Sequence, residues 1–239
     1  MKNIISLLVL ICSVGVIIVS CAKKSDTSST STATTASGTG TGTGTTASGT
    51  VTGIDNLTGI FNTSYFGQEP SGGCIDNSTA LTLMGVPTGT VAFKRQLIIT
   101  SSTTFASSFQ WYSDATCSTI TGYFNTGYNA VEFDSSVAMS LTAGSSPTKP
   151  TSAAKMKFAS EGYGLMGNTA GALAYFTNMG LTLTSGTELL MEETSPTTYY
   201  TLINSGTQSG SDSSYLFVAN KSSSAYPSDW SSSDTVYWK

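Results

Sequence analysis

The stretch VAFKRQLIITSSTTFASSFQWYSDATC, residues 91–117, contains two runs of apolar, aromatic and β-branched residues separated by a polar segment. Alternation with a period of two places apolar residues on one face of a half-buried β-strand. We therefore predict strands at residues 91–100 and 105–113. The second run carries a largely apolar stripe at alternate positions: Phe105, Ser107, Phe109 and Trp111.

Similar short runs continue to the end of the chain, with turn residues at intervals of about 8–15 residues. Regular turn signals of this kind are typical of all-β barrels and sandwiches. One short helix is predicted within residues 168–180, where Leu173, Phe176 and Met179 have near-helical spacing before Gly180. We expect an all-β fold, an antiparallel barrel or sandwich with that one short helix. Further strands are predicted at residues 57–66, 120–125, 128–133, 137–141, 154–158, 181–183, 189–192, 199–203, 215–219 and 236–238.

The same alternation predicts which side chains face the interior. Small barrels are filled by bulky inward side chains, although eight strands are also able to enclose one small ligand. We expect a mostly filled interior, with Lys155 and Lys157 facing water. The predicted inward residues are Phe105, Phe109, Trp111, Val137, Met139, Leu141, Met156 and Phe158.

The first 20 residues have the layout of a secretory signal, with Lys2 before an apolar run that is short for a membrane span of about 20 residues. Ile18-Val19-Ser20-Cys21 resembles the lipobox of bacterial lipoproteins, in the looser form typical of spirochaetes. This resemblance implies cleavage before Cys21 and acylation of its thiol. We therefore predict a lipoprotein signal peptide at residues 1–20 and a membrane anchor at Cys21.

A tether is predicted to follow the anchor, over residues 21–54. From Ser25 to Thr50 the chain contains only Ser, Thr, Ala and Gly apart from Asp26. Such a segment buries no apolar surface that would offset the entropy of ordering, so a disordered, flexible coil is expected. A single β-rich domain is predicted at residues 55–239.

The charge of this domain limits its partners. Of ten basic and fourteen acidic residues, three and one respectively precede residue 55, which leaves seven against thirteen and a net charge of about −6. This balance argues against binding to nucleic acid.

Cysteine usage predicts one disulfide. Cys12 leaves with the signal peptide and Cys21 is expected to be acylated, so Cys74 and Cys117 remain. An even pair in an exported domain is predicted to be oxidised.

Several segments together resemble a group of uncharacterised bacterial lipoproteins with a lipocalin-like antiparallel barrel, found notably in spirochaetes. They are QWYSDATC, TGYFNTGYN, the Lys-rich alternating strand and the terminal YPSDWSSSDTVYWK. The lipocalin signature G-x-W is absent, because Gly59-Ile60-Phe61 lacks the Trp. The resemblance implies an outer-membrane or cell-surface location, with inner-membrane or periplasm-facing anchoring still open. Fold analogy alone does not give a function.

The sequence contains no histidine, which removes the usual nucleophile relays and imidazole acid/base catalysis. No enzymatic activity, metal site or cofactor is predicted. The chain is instead rich in aromatic residues, and exposed Tyr and Trp among Ser, Asn and Gly favour contact with protein or glycan. The first hypothesis is an adhesin-like binding module for a host or envelope macromolecule, and the alternative is a lipocalin-like carrier of a small apolar ligand. Binding residues are predicted at Tyr123, Tyr128, Tyr226 and Trp230.

Overall fold

The structure, a computed structural model, describes residues 42–43, 54, 57–63, 73–140, 149–207, 214–231 and 234–239. The predicted signal peptide, Cys21 and most of the tether lie outside these residues. The described strands are β1 (Gly42–Thr43), β2 (Gly59–Thr63), β3 (Ala92–Ile99), β4 (Phe105–Tyr112), β5 (Ile120–Ala138), β6 (Ser152–Gly167), β7 (Leu189–Glu192), β8 (Thr198–Thr207), β9 (Ser214–Val218) and β10 (Thr235–Trp238). The described helices are α1 (Ser78–Met84) and α2 (Ala170–Asn178).

Eight of the strands form a closed antiparallel barrel, which confirms the predicted fold class and decides for a barrel over a sandwich. The order around the ring is β2-β3-β4-β5-β6-β8-β9-β10, and β10 pairs with β2 to close it. Each strand of the ring therefore lies beside the ring strand that precedes it in the chain, as in other up-and-down barrels. Strand β7 lies outside the ring and pairs with the second half of β6, while β1 pairs in parallel with the end of β8.

The two helices cover one end of the barrel. The predicted helix within residues 168–180 is confirmed as α2, whose first turn is capped by Thr169 through the N–H of Ala172. Helix α1 was not predicted, because seven residues are too few to show a helical period. Its limits are nevertheless local: Asn77 accepts the N–H of Ala80 at 3.1 Å, and Gly85 ends the helix at φ 57°.

Inside the barrel the apolar side chains form two cores. The tether-end core surrounds Ile54 and Leu57, and the helix-end core lies under α1 and α2. Ile54 is the last residue assigned to the tether, yet it is buried here. The inward placement of Phe105, Trp111, Met156 and Phe158 agrees with the prediction, and Phe109 packs against the helix-end core.

A third core, the outer core, lies on the outside of the barrel, between the outer face of β8, β9 and β10 and the segment 219–231. Its buried members are Met139, Ala153, Leu202, Tyr215, Phe217, Ala219, Trp230 and Trp238. Val137 packs against it as well, so the prediction that Val137 and Met139 face the barrel interior is wrong. Leu141 lies outside the described residues.

The second of two β-bulges in β5 explains that error. Between the pairs Asn129↔Ala159 and Glu132↔Lys157, strand β5 contains one more residue than β6, and Ala130 there has φ 51°. A second extra residue follows Phe133. Each extra residue reverses the alternation once, so the two bulges cancel between Tyr128 and Val137. Counted from Phe133, which packs against the tether-end core, only the second bulge intervenes, and it turns Val137 and Met139 outward.

Other parts of the prediction are corrected or confirmed individually. The strands predicted at 120–125 and 128–133 are one continuous strand, β5, because Thr126-Gly127 stays in the ladder opposite Ser107 and Ala106. Leu181–Leu183 forms no strand and packs its leucines against the helix-end core instead. The Cys74–Cys117 disulfide is confirmed, with a Cα–Cα distance of 5.8 Å across a sequence separation of 43.

Candidate binding surface

The structure buries two of the four aromatic residues that were predicted to bind a partner. Tyr128 is 4% exposed, inside the barrel, where it stands opposite Phe105 on β4. Trp230 is 2% exposed in the outer core, and its indole N–H donates to the carbonyl of Pro150 at 2.7 Å. Both placements correct the expectation of exposed loop aromatics. Tyr128 belongs to a continuous strand, and the segment with Trp230 folds back onto the barrel wall.

Tyr123 lies on the outer face of β5, half-buried. Its partial burial, a hydrogen bond with the Glu188 side chain and the negative charge of Glu188 together raise the pKa of Tyr123 to about 12. The phenol of Tyr123 is therefore neutral at physiological pH and hydrogen-bonded to the carboxylate of Glu188. This residue is partnered within the chain and stands apart from the other predicted aromatics.

Tyr226 is the predicted aromatic residue around which other surface groups converge. Its ring meets that of Tyr200 edge to face, with 5.1 Å between centroids. The ammonium of Lys155 lies 5.3 Å from the centroid of the Tyr226 ring. Both tyrosines are half-buried, so each keeps an accessible edge. We call this group, with Lys157, Glu132 and Asp134, the Tyr200–Tyr226 surface.

Charged groups surround the two rings. Lys157 and Glu132 form an ion pair at 2.8 Å, with side-chain exposures of 41% and 63%. The hydrogen bond with Glu132 and the charge of that carboxylate raise the pKa of Lys157. Partial burial raises the pKa of Tyr226, and the nearby Asp134 carboxylate adds to that effect.

The barrel ladder sets the positions of these groups. Lys157 pairs directly with Tyr200 across β6 and β8, and with Glu132 across β5 and β6. Beyond β9, Ser222 exchanges two backbone hydrogen bonds with Tyr200, at 2.8 and 2.9 Å. This bridge holds the chain beside β8, and four residues later the ring of Tyr226 contacts that of Tyr200. The surface therefore rests on three adjacent strands rather than on a long loop.

Two aromatic edges, two ammonium groups and two carboxylates within one surface suit recognition by stacking and hydrogen bonding. The sequence predicted that Lys155 and Lys157 face water. It did not show that Tyr226 joins them, because that contact depends on the Ser222 bridge. Lys221 was also missed, since no local pattern marks a lysine that reaches aromatic rings of the barrel.

The fold and the surface define a closed up-and-down β-barrel with an aromatic and charged outer face. A scan against protein-family models returned no match, and a search of curated proteins also returned none. Within the described part of the chain, no helix has the length and apolar character needed to cross a membrane. The described residues also contain no group of three His, Cys, Asp or Glu side chains placed to hold a metal ion.

Proposed function

We propose that this protein is a membrane-anchored lipoprotein that displays its barrel as an adhesin-like binding module. The observation that carries the proposal is the Tyr200–Tyr226 surface, which combines aromatic edges and both signs of charge on a rigid support. The lipobox-like sequence ending in Cys21 supports the anchor. The Ser/Thr/Gly-rich stretch between Cys21 and β1 supports display at a distance, because a coil of about 20 residues has a reach of roughly 25 Å. The partner is a host or envelope macromolecule, and the anchor lies in the outer membrane or at the cell surface.

The packing of the barrel interior also supports outside binding. At the tether end the rings of Phe105, Tyr128 and Phe158 contact one another, with centroid distances of 4.8 to 5.1 Å. At the helix end Trp111 packs against Tyr175 and Phe176. Rings that contact one another in this way fill the space between them, so that part of the interior is occupied by protein rather than by a guest.

Two experiments test the proposal in sequence. Protease treatment of intact cells should remove the domain without lysis, and Cys21→Ala should release the protein from the membrane fraction. The exposed protein should then retain a partner from host-matrix or envelope fractions. The double variant Tyr200→Ala/Tyr226→Ala should lose at least about tenfold in affinity, whereas Tyr123→Ala should not. A domain protected from protease, or equal retention by the double variant, contradicts the proposal.

A carrier of a small apolar ligand is the second candidate, and one observation favours it. Trp111 is fully buried inside the barrel, and its indole N–H has no hydrogen-bond partner among the described residues. A buried donor of this kind normally has a hydrogen-bond acceptor, and a guest with an acceptor atom would supply it. Native mass spectrometry of the protein from its own membrane separates the two roles. A stoichiometric small molecule that is lost in Trp111→Phe would favour the carrier.

A further inference from the structure

The ammonium of Lys221 lies against two aromatic rings at the tether end of the barrel. Its Nζ is 4.5 Å from the centroid of Tyr128 and 4.3 Å from that of Tyr199, and it donates a hydrogen bond to the Tyr128 hydroxyl. The other ammonium–ring contacts of the described residues involve one ring each, at 5.3 to 5.8 Å. Among the described residues, Lys221 is therefore the lysine whose ammonium contacts two rings at these short distances.

The walls of this environment are fixed by the barrel rather than by the lysine. Tyr128 is 4% exposed and stacks on Phe105 at 4.8 Å. Phe158 meets Tyr128 at 5.1 Å and Tyr199 at 5.8 Å, and it stands directly opposite Tyr199 in the β6–β8 ladder. The two rings should therefore keep their positions if the lysine leaves. A preformed pair of rings of this kind needs little reorganisation to accept another cation.

The lysine itself reaches the rings from outside. Lys221 is an exposed residue in the segment after β9, next to the Ser222 bridge to Tyr200. Because Lys221 is an exposed residue whose ammonium contacts the buried Tyr128, withdrawing this side chain would open the space now held by the ammonium. The aromatic faces would then be reachable by a cation from solution.

We propose that Tyr128 and Tyr199 form a binding site for the quaternary ammonium group of a ligand, and that Lys221 holds this site closed in the present conformation. Quaternary ammonium groups are favoured because aromatic faces attract them and they give up little hydration on entering. The ligand is of the choline type, either as a small solute or as a lipid headgroup. It would bind only to the fraction of molecules in which Lys221 has withdrawn, which weakens its apparent affinity by that fraction.

The first test measures binding of tetramethylammonium and choline to the full-length protein in a choline-free detergent, by ligand-detected nuclear magnetic resonance. Lys221→Ala should bind at least about tenfold more tightly than the native protein, because the competing ammonium is gone. Lys221→Arg is the matched control, since its guanidinium keeps a cation over the two rings and should leave binding near the native level. Adding Tyr199→Leu to Lys221→Ala should reverse the gain.

The gain should also be specific to this lysine. Lys155→Ala, which removes an ammonium from the single ring of Tyr226, should change nothing. The proposal is overturned if Lys221→Ala has the same melting temperature as the native protein but binds tetramethylammonium no more tightly. It is also overturned if the gain in affinity persists when Tyr199→Leu is added.

A second readout uses the native sequence and does not depend on any variant folding. Saturating tetramethylammonium should displace the Lys221 side chain and increase its rate of modification by an amine-reactive reagent, with Lys155 as the internal reference. An unchanged rate overturns the proposal. Phosphatidylcholine and phosphatidylglycerol nanodiscs then distinguish the sources of the ligand. Selective retention on phosphatidylcholine assigns a headgroup, whereas binding of free choline alone assigns a solute.

Discussion

Two parts of the barrel wall differ in how their outer faces are used. Strand β9 is buried on both faces: Leu216 points into the barrel while Tyr215 and Phe217 lie in the outer core. Strand β6 buries Met156 and Phe158 on its inner face and presents Lys155 and Lys157 on its outer face. The first wall is covered by the segment 219–231, whereas the second remains open beside it.

Within the segment 219–231, one end belongs to the fold and the other end belongs to the candidate binding surface. Residues 219–231 supply Trp230 to the outer core, where it is fixed by Pro150, and they also supply Tyr226 to the open face. The covering segment is therefore part of the fold at one end and part of the candidate binding surface at the other. Substitutions in the two places should have very different effects on stability.

The largest expected effect is at the covered wall. Trp230→Ala should lower the free energy of unfolding by about 3–5 kcal/mol, because it removes a buried indole and leaves a cavity against Phe217. Urea unfolding followed by circular dichroism measures the change. Tyr226→Ala, four residues earlier in the same segment, is the matched control and should cost no more than about 1 kcal/mol. Equal losses would show that the two ends of the segment are not distinct.

The disulfide tests whether the two walls belong to one cooperative unit. Cys74→Ser/Cys117→Ser should lower stability by about 4 kcal/mol, the value that the chain-entropy model gives for a loop of this length. The disulfide joins the chain before α1 to the β4–β5 connection, so amide protons of β6 and β9 should lose protection by the same amount in hydrogen exchange if the barrel unfolds as one unit. Loss confined to the helix end of the barrel would instead separate that end from both walls.

The sequence predicts the open wall well and the covered wall poorly. Residues 154–158 alternate cleanly because one face meets a core and the other meets water. Tyr215–Val218 does not alternate, because both faces are buried, so its strand could be predicted but not its orientation. The outer core depends on the return of residues 219–231, a contact that no local pattern encodes.

The same limit applies to the candidate sites. Tyr226 was predicted on composition and does lie at the surface. Its contact with Tyr200 depends on the Ser222 bridge, which no local pattern predicts. Tyr128 was misplaced because Thr126-Gly127 suggested a turn where the ladder continues. The bulge after Phe133 reversed the direction of Val137 and Met139 relative to Phe133. In each case the deciding contact is between residues far apart in the chain.

A smaller effect should come from the ring contact on the open wall. A double-mutant cycle of Tyr200→Leu and Tyr226→Leu with their combination should give a coupling of about 0.5–1 kcal/mol, in the lower part of the range for an edge-to-face pair. The same cycle with Tyr200→Phe in place of Tyr200→Leu should give a coupling near zero, because Phe keeps the ring and therefore the contact. The measurement is again urea unfolding. Zero coupling in the Leu pair would mean that Tyr226 does not rest on Tyr200 in solution.

The smallest effect is expected at the ion pair of the open wall, and it concerns titration more than stability. Glu132→Gln should return the raised pKa of Lys157 toward its ordinary value, because the hydrogen bond and charge of Glu132 are the main causes of the shift. Nuclear magnetic resonance titration of the lysine ε-methylene measures it. Glu193→Gln, an acidic residue outside this surface, is the control.

The sign of the pH dependence follows from that shift. A lysine whose pKa is raised on folding contributes its stabilisation below the unfolded pKa and loses it as the pH rises through the folded pKa. At neutral pH the native protein and Glu132→Gln should therefore differ only slightly, since both partners are exposed and screened by salt. A large loss of stability in Glu132→Gln at pH 7 would mean that the charges on the outer face of β6 stabilise the fold, as the outer core does at β9. A small one leaves Glu132 and Lys157 available to exchange their mutual contact for a partner.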